Sequence, residues 1–309
     1  SKGLVGSEMC IRDRVNAVSV LNAEVASNMF PGVDIMPITN GVHHPTWISP
    51  TMARLYDDEL PGWRLDGGVL NGAKALSETG LERARSESRA ILRELVKSTT
   101  GVKLDGNRLT IGFARRFATY KRASLVFRDI SRLNKIGSGQ IQFVFSGKAH
   151  PRDDGGKALI KEIFDASHKL RDIPVAFLED YSMATGLAMT SGVDVWLNTP
   201  VRPMEASGTS GMKAVMNGVP NLSILDGWWP EACDHGVNGW GIGNKEEARD
   251  DDRDANALYD LLEDEVLPAW KSSRSRWLSL MRSAIAAGSA FTGQRMIREY
   301  VKIYETFGM

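Results

Sequence analysis

A lysine preceded by a run of small residues is the part of this 309-residue chain with the clearest capacity for chemistry. The run EASGTSGMK extends from Glu205 to Lys213 and leads into a helical pattern over residues 210–216. A lysine that forms a Schiff base must be reachable and readily deprotonated, so it is best placed on a rigid element in a partly desolvated pocket. Free N–H groups at a helix start attract phosphate, and Gly208 and Gly211 let the backbone approach it. The run predicts a pyridoxal phosphate site; the alternative is a glycine-rich turn before an ordinary helix with an exposed lysine.

A second cluster consists of cations. Four of them stand within eight residues, at Arg115, Arg116, Lys121 and Arg122. They follow a short apolar run typical of a buried strand, and cations gathered at a strand end favour a site for phosphate groups. A solvated basic face is the alternative.

The elements that would position these groups alternate between strands and helices. Strands are predicted at residues 109–114, 141–146, 175–178, 193–197 and 221–225, and helices at 123–133, 156–169, 183–189 and 210–216. The apolar runs are nearly continuous, as in strands covered on both faces. We therefore predict an α/β fold with a doubly wound parallel, Rossmann-like sheet. Ligands of such sheets bind at the carboxyl ends of the strands, where polar, charged or aromatic residues follow each predicted strand.

Bulk composition limits the function classes. Lys and Arg number 38, as do Asp and Glu, so no global charge indicates nucleic acid or an anionic membrane. No apolar run approaches the ~18 residues of a membrane span. Cys10 and Cys233 are the only cysteines, which is typical of a reducing compartment, and we expect a cytoplasmic protein. His43 and His44 have no Cys or acidic partner at ligand spacing, so no metal site is predicted.

The flanking regions are interpreted as structural. Residues 15–30 and 81–96 have helical patterns, and two or three amphipathic helices are predicted over 258–270, 277–287 and 296–307. The charge-rich segment 245–254 is interpreted as a solvated loop. Trp228 and Trp229 are suited to sugar stacking, but a buried aromatic core is the favoured interpretation.

The string EASGTSGMKAVMNG resembles the cofactor-lysine motif of the α-glucan (glycogen, starch, maltodextrin) phosphorylases, with the bacterial branch as the nearer match. It has Ser210-Gly211 where the animal and plant enzymes have Gly-Asn. The resemblance implies that Lys213 binds pyridoxal phosphate. It further implies that the cofactor phosphate and the reacting glucose are held by neighbouring residues: Thr209 with the backbone around Gly208 and Ser210 for the phosphate, and Glu205 and Ser207 for the sugar.

Three further segments carry the resemblance. RRFATYKR is similar to the family's phosphate segment, which implies that Arg116 and Lys121 bind inorganic phosphate and that Arg115 lies near the cofactor phosphate. Phe117-Ala118-Thr119 replaces Ile-His-Glu there. In SGKAHP and FLEDY, Lys148 and Tyr181 match residues near the cofactor, although a surface lysine and a core tyrosine remain alternatives. In TNGVHHP, Asn40 matches a glucose ligand, but Asn-Gly is also a common turn.

The resemblance covers residues 15–309 and implies a glycosyltransferase B-type fold, in which two Rossmann-like domains face each other. This chain would be the cofactor-bearing C-terminal domain with its C-terminal helices, and the N-terminal domain would be missing. Residues 1–14 resemble translated adapter sequence and are interpreted as a non-native leader.

The function implied is that of a glycosyltransferase: the reversible phosphorolysis of α-1,4-glucan to glucose 1-phosphate, with possible homo-oligomerisation. One alternative is a glycogen-synthase-like enzyme that uses a nucleotide sugar and no pyridoxal phosphate. Another is a cofactor-binding fragment that is inactive alone, since a site built across a cleft needs both walls.

Overall fold

The computed structural model describes residues 15–244 and 249–305. Within these ranges two parallel sheets form. The smaller one pairs β1 (Val15–Ala17) with β2 (Ile35–Pro37). The larger one contains β3 (Leu109–Ala114), β4 (Ile141–Ser146), β5 (Val175–Leu178), β6 (Val195–Asn198), β7 (Asn221–Ile224) and β8 (Gly239–Ile242). Its order is β5-β4-β3-β6-β7-β8 and every neighbouring pair is parallel, which confirms the predicted sheet.

The helices surround this sheet. The α-helices of the described ranges are α1 (Val20–Met29), α2 (His44–Trp47), α3 (Pro50–Glu59), α4 (Glu78–Thr100), α5 (Ile130–Gly137), α6 (Asp154–Ser167), α7 (Met183–Gly192), α8 (Thr209–Val215), α9 (Trp229–Ala232), α10 (Asp251–Leu261), α11 (Leu267–Lys271), α12 (Arg274–Gly288) and α13 (Gly293–Glu305). Short 3₁₀ turns lie at Gly67–Ala75, Thr119–Lys121, Leu125–Phe127 and Ser289–Phe291, and a π turn at Leu262–Val266 joins α10 to α11. None of the described helices is long and apolar enough to cross a membrane.

Each face of the large sheet has its own hydrophobic core, because successive strand residues point to opposite faces. Phe113 and Phe145 lie in one core with residues of α5, α10 and α12. Ala114 and Val144 lie in the other with residues of α4 and α7. The continuous apolar strands are thus covered on both sides, as predicted. Trp228 and Trp229 are fully buried, which confirms their interpretation as core residues.

Some predicted boundaries are wrong for local reasons. Residues 15–30 do not form one helix, because β1 precedes α1 and the side chain of Ser19 caps the helix start. The predicted helix 123–133 divides into a 3₁₀ turn and α5, since Asp129 caps α5 by accepting from Arg132 N–H at 2.8 Å. Val193 belongs to the end of α7 rather than to β6. Strand β8 was not predicted at all.

The prediction of a solvated loop over residues 245–254 is also wrong for the second half of that segment. Residues 245–248 lie outside the described ranges, but α10 begins at Asp251 and Asp254 is buried. Oδ1 of Asp254 lies 2.6 Å from Arg202 Nη2, and its Oδ2 lies 2.6 Å from Arg122 Nη2. Arg122 also donates to the carbonyl oxygens of residues 199 and 200. This network fixes the segment that follows β6 and leads to Glu205.

Candidate active site

The candidate site lies at the carboxyl ends of β3 and β6, where the strand order of the large sheet reverses. Arg115 directly follows β3 and donates through Nη1 to Oδ1 of Asn198, the last residue of β6. Crevices at such reversal points are where doubly wound sheets bind ligands. Arg115 therefore stands where the topology favours a ligand.

A buried carboxylate, Glu205, is the centre of an ion cluster at this edge. Its Oε2 lies 2.6 Å from Arg115 Nη2 and also accepts from Lys121 Nζ. Burial alone would raise the pKa of Glu205, but the charges of Arg115 and Lys121 outweigh it and hold the pKa below its usual value. Burial, then the Arg115 charge, lowers the pKa of Lys121. Arg115, Lys121 and Glu205, all singled out from the sequence, are thus brought together. Lys121 and Glu205 are 84 positions apart in the chain.

The loop that carries Glu205 is held by the turn after β7. Asp226 accepts through Oδ2 from Glu205 N–H at 2.9 Å and through Oδ1 from Gly227 N–H at 2.8 Å. Trp228 N–H donates to the Ser207 carbonyl at 2.9 Å. Gly227 has a φ of 60°, and a Cβ there would lie 2.3 Å from that same carbonyl oxygen, so the turn requires glycine. Burial raises the pKa of Asp226 to about 6.

Lys213 lies on α8, which begins after Gly208. Its Nζ is 3.4 Å from the centre of the Trp47 ring. The face of an indole attracts a cation, but burial disfavours the charged amine and lowers the pKa of Lys213 to about 8. The lysine is half-buried rather than exposed, so the alternative of an ordinary surface lysine is wrong.

Tyr181 lies beside the same indole. A Cβ on Gly186 would be 2.7 Å from the Tyr181 hydroxyl and 3.5 Å from the Trp47 ring, so the two aromatic side chains flank this glycine. Burial raises the pKa of Tyr181, and the nearby Arg115 charge opposes that shift. Trp47 thus lies next to the lysine, and Tyr181 lies near the charge of Arg115. Trp47 was not singled out from the sequence.

The small residues before Lys213 have different surroundings. Ser207 Oγ is buried and has no hydrogen-bond partner within the described part of the chain. Ser210 Oγ accepts from Trp196 Nε1 at 3.3 Å, and Thr209 is half-buried at the first position of α8. At Gly211 a Cβ would lie 2.6 Å from Asn221 Oδ1, so this glycine makes room for core side chains rather than for a phosphate, contrary to its sequence interpretation.

Three predicted residues lie further out. Arg116 is exposed and forms no ion pair with any residue of the described ranges. Lys148 is 61% exposed, with its Nζ 3.5 Å from Asp180 Oδ1. Asn40 is half-buried, and its backbone is bonded to Val18 and Arg295. The structure places these side chains outside the buried ion cluster.

No group of three or more His, Cys, Asp or Glu residues in the described ranges could hold a metal ion. His44 is buried, with Nε2 2.8 Å from the Trp63 carbonyl oxygen, and burial lowers its pKa. The adjacent His43 is exposed, with Nδ1 2.7 Å from Thr46 Oγ1.

The chain was compared with known proteins. A family model described as carbohydrate phosphorylase matches residues 25–235, more than half of the chain. The chain belongs to the carbohydrate phosphorylase family. A maltodextrin phosphorylase from Thermococcus litoralis is 40% identical over 93% of this chain. Glycogen phosphorylases from Aquifex aeolicus and Mycobacterium tuberculosis are 39% and 37% identical over 97% and 95% of it.

The matched part is less than half of each relative. The chain spans 38%, 49% and 39% of the lengths of these three phosphorylases, respectively. Family membership does not favour the nucleotide-sugar alternative, and the partial coverage fits an incomplete phosphorylase.

Proposed function

We propose that this chain is the cofactor-binding C-terminal part, residues 15–309, of an enzyme that cleaves α-1,4-glucan with inorganic phosphate to release glucose 1-phosphate. The observation that carries the proposal is Lys213, an amine with a pKa of about 8 placed against the Trp47 indole. At pH 7 about one-tenth of such amines are neutral, against roughly one in three thousand at the ordinary lysine pKa.

The residues around Lys213 fit pyridoxal phosphate. The amine is half-buried and lies against the Trp47 ring, where the planar cofactor ring would find an aromatic surface. Ser207 offers a buried hydroxyl that lacks a partner in the described part of the chain. Because α8 is only seven residues long, we assign the cofactor phosphate to Thr209, the backbone of Gly208 and Ser210, Arg115 and Lys148 rather than to a helix dipole. Tyr181 would supply a second aromatic side chain near the cofactor.

The chain's own groups would then bind substrates and stabilise charge. Pyridoxal phosphate, when bound, supplies a phosphate group that can exchange a proton with inorganic phosphate. Arg116, which is exposed, and Lys121, which is buried, would bind inorganic phosphate, and cations so placed stabilise the charge that develops during glycosyl transfer. Glu205, Ser207 and Asn40 would accept from or donate to glucose hydroxyls and orient the sugar. Lys213, Arg116 and Lys121 are the groups we expect to be required for turnover.

The cofactor assignment is tested by reductive labelling. The purified chain is mixed with pyridoxal phosphate, reduced with borohydride and mapped by mass spectrometry. We expect the label on Lys213, its loss in Lys213→Arg, and its retention in Lys161→Ala, which removes a 76% exposed lysine of α6 that has no assigned cofactor contact. Label spread over exposed lysines with none enriched at Lys213 would contradict the assignment.

Turnover requires a second experiment, because a cofactor-binding piece without activity is the remaining alternative. Glucose 1-phosphate release from maltodextrin is measured for this chain and for a version extended at its N-terminus to the length of the relatives. Labelling at Lys213 with activity only in the extended version is the expected pattern. A cytoplasmic location and a homo-oligomeric state stay predictions.

A further inference from the structure

The loop that carries Asn40 is fastened to the C-terminal segment of the chain. Val42 N–H donates to the Phe291 carbonyl at 2.9 Å, and Gly293 N–H donates to the Val42 carbonyl at 2.7 Å. Arg295, on α13, donates through Nη2 to the carbonyl oxygen of Asn40 at 3.0 Å. These contacts join residues about 250 positions apart, so the loop has its final geometry only when the C-terminal segment is docked.

Arg295 is itself held in place on three sides. Its Nε donates to the Ala290 carbonyl at 2.8 Å, and its Nη1 lies 3.0 Å from Glu299 Oε2. These two contacts restrict the orientation of the guanidinium that donates to Asn40. A planar guanidinium has several N–H donors in fixed directions, so it can bind three partners at once. Helix α13 has no fully buried residue, so polar contacts contribute to its attachment: those of Arg295, and those of Gln294 with the backbone of Leu65 and Gly67.

Gly41, the residue between Asn40 and Val42, lies in close contact with the same C-terminal segment. A Cβ on Gly41 would lie 2.2 Å from the Thr292 carbonyl oxygen and 2.8 Å from the Gly293 nitrogen. Gly41 N–H also points to Met296 Sδ at 3.3 Å. The Asn-Gly pair is thus explained by close approach to the C-terminal segment, because Gly41 does not have a positive φ.

We propose that Arg295 is a positioning residue: it fixes the backbone of Asn40 so that the side-chain amide meets a glucose hydroxyl. The proposal rests on the sugar-binding role of Asn40 in the proposed function. No hydrogen bond holds that amide within the described ranges, so its direction depends on the backbone beneath it. A binding group misplaced by more than about 0.5 Å loses its productive geometry.

The structural half of the test is hydrogen exchange of the amides of Asn40 and Val42. In Arg295→Ala we expect both to exchange about tenfold faster or more, as follows from losing one charge-assisted hydrogen bond. The matched control is Arg298→Ala on the same helix, whose side chain is 62% exposed and 4.0 Å from its carboxylate partner. Gly41→Ala disturbs the contact from the other side and should act like Arg295→Ala. Equal exchange in the two arginine variants overturns the proposal.

The functional half is maltodextrin affinity, measured by saturation-transfer NMR on the full chain. We expect Arg295→Ala to weaken binding about fivefold or more, Arg298→Ala to leave it unchanged, and Arg295→Lys to restore part of it by donating to the Asn40 carbonyl. Faster exchange with unchanged affinity would show a purely structural arginine and overturn the proposal. Absence of binding by the unaltered chain would also overturn it, whereas labelling at Lys213 would still support the cofactor assignment.

Discussion

Replacing Asp254 by alanine should destabilise the fold strongly. Only 2% of its side chain is exposed, and its two oxygens lie 2.6 Å from Arg122 and 2.6 Å from Arg202. Removing one partner of a buried pair typically costs about 3–5 kcal/mol, because the remaining charge stays buried without compensation. Arg122 keeps a second carboxylate, Asp251, at 2.8 Å. We therefore expect the lower end, about 3 kcal/mol, out of a total free energy of unfolding of about 5–15 kcal/mol.

Urea unfolding followed by tryptophan fluorescence measures this loss. The control is Asp252→Ala in the same first turn of α10, where 74% of the side chain is exposed and the partner is Arg128. An exposed pair of this kind contributes no more than about 1 kcal/mol. If the two variants had equal free energies of unfolding, the assignment of residues 251–254 to a buried network would be refuted.

Three other outcomes follow from the site. The rate at which pyridoxal phosphate labels Lys213 should rise with pH to a midpoint near 8, and a midpoint near 10.5 would contradict the desolvated environment. The pKa of Asp226 is raised from 3.8 to about 6 by folding, so its stabilising contribution is complete below pH 3.8 and is lost as the pH rises through 6. The free energy of unfolding of the unaltered chain minus that of Asp226→Asn should fall by up to about 3 kcal/mol between about pH 4 and pH 7, and a constant difference would disprove this. Gly227→Ala should lower the melting temperature more than Gly236→Ala, which has a φ of 75° but open space around it; equal shifts would show that the close approach to Ser207 costs nothing.

Much of the fold could be predicted because its strands are local apolar runs. Strands β3, β4 and β5 have the predicted bounds, since each is a short apolar run flanked by polar or turn residues. Strand β8 has the sequence GWGI, in which two glycines interrupt the apolar pattern. It is stabilised by contacts distant in sequence, namely pairing with β7 and hydrogen bonds from the side chains of Arg202 and Trp229 to its carbonyl oxygens. The burial of Asp254 could not be predicted, because its partner Arg122 is 132 positions away and the surrounding sequence is typical of solvated surface.

The sequence predicted those site residues whose own side chains are suited to the chemistry. Lys213 and Lys121 were singled out by type and spacing, and Glu205 by the resemblance to the phosphorylase motif. Trp47 and Asp226 were not assigned roles, because an indole beneath an amine and a carboxylate that binds backbone N–H groups depend on how separate loops meet. The Asp-Gly pair directly after the predicted strand 221–225 was the available signal for the second of them.

The hydrogen bond between the Asn40 loop and α13 has a consequence for biosynthesis. The bonded residues Asn40 and Arg295 are 255 positions apart. A ribosome adding about 5–20 residues per second needs on the order of 10 to 50 s to cover that separation. Throughout this interval the loop lacks its C-terminal partner, and all six strands of the large sheet are completed before that partner is made. We expect the Asn40 loop to be among the last parts of the nascent chain to acquire its final structure.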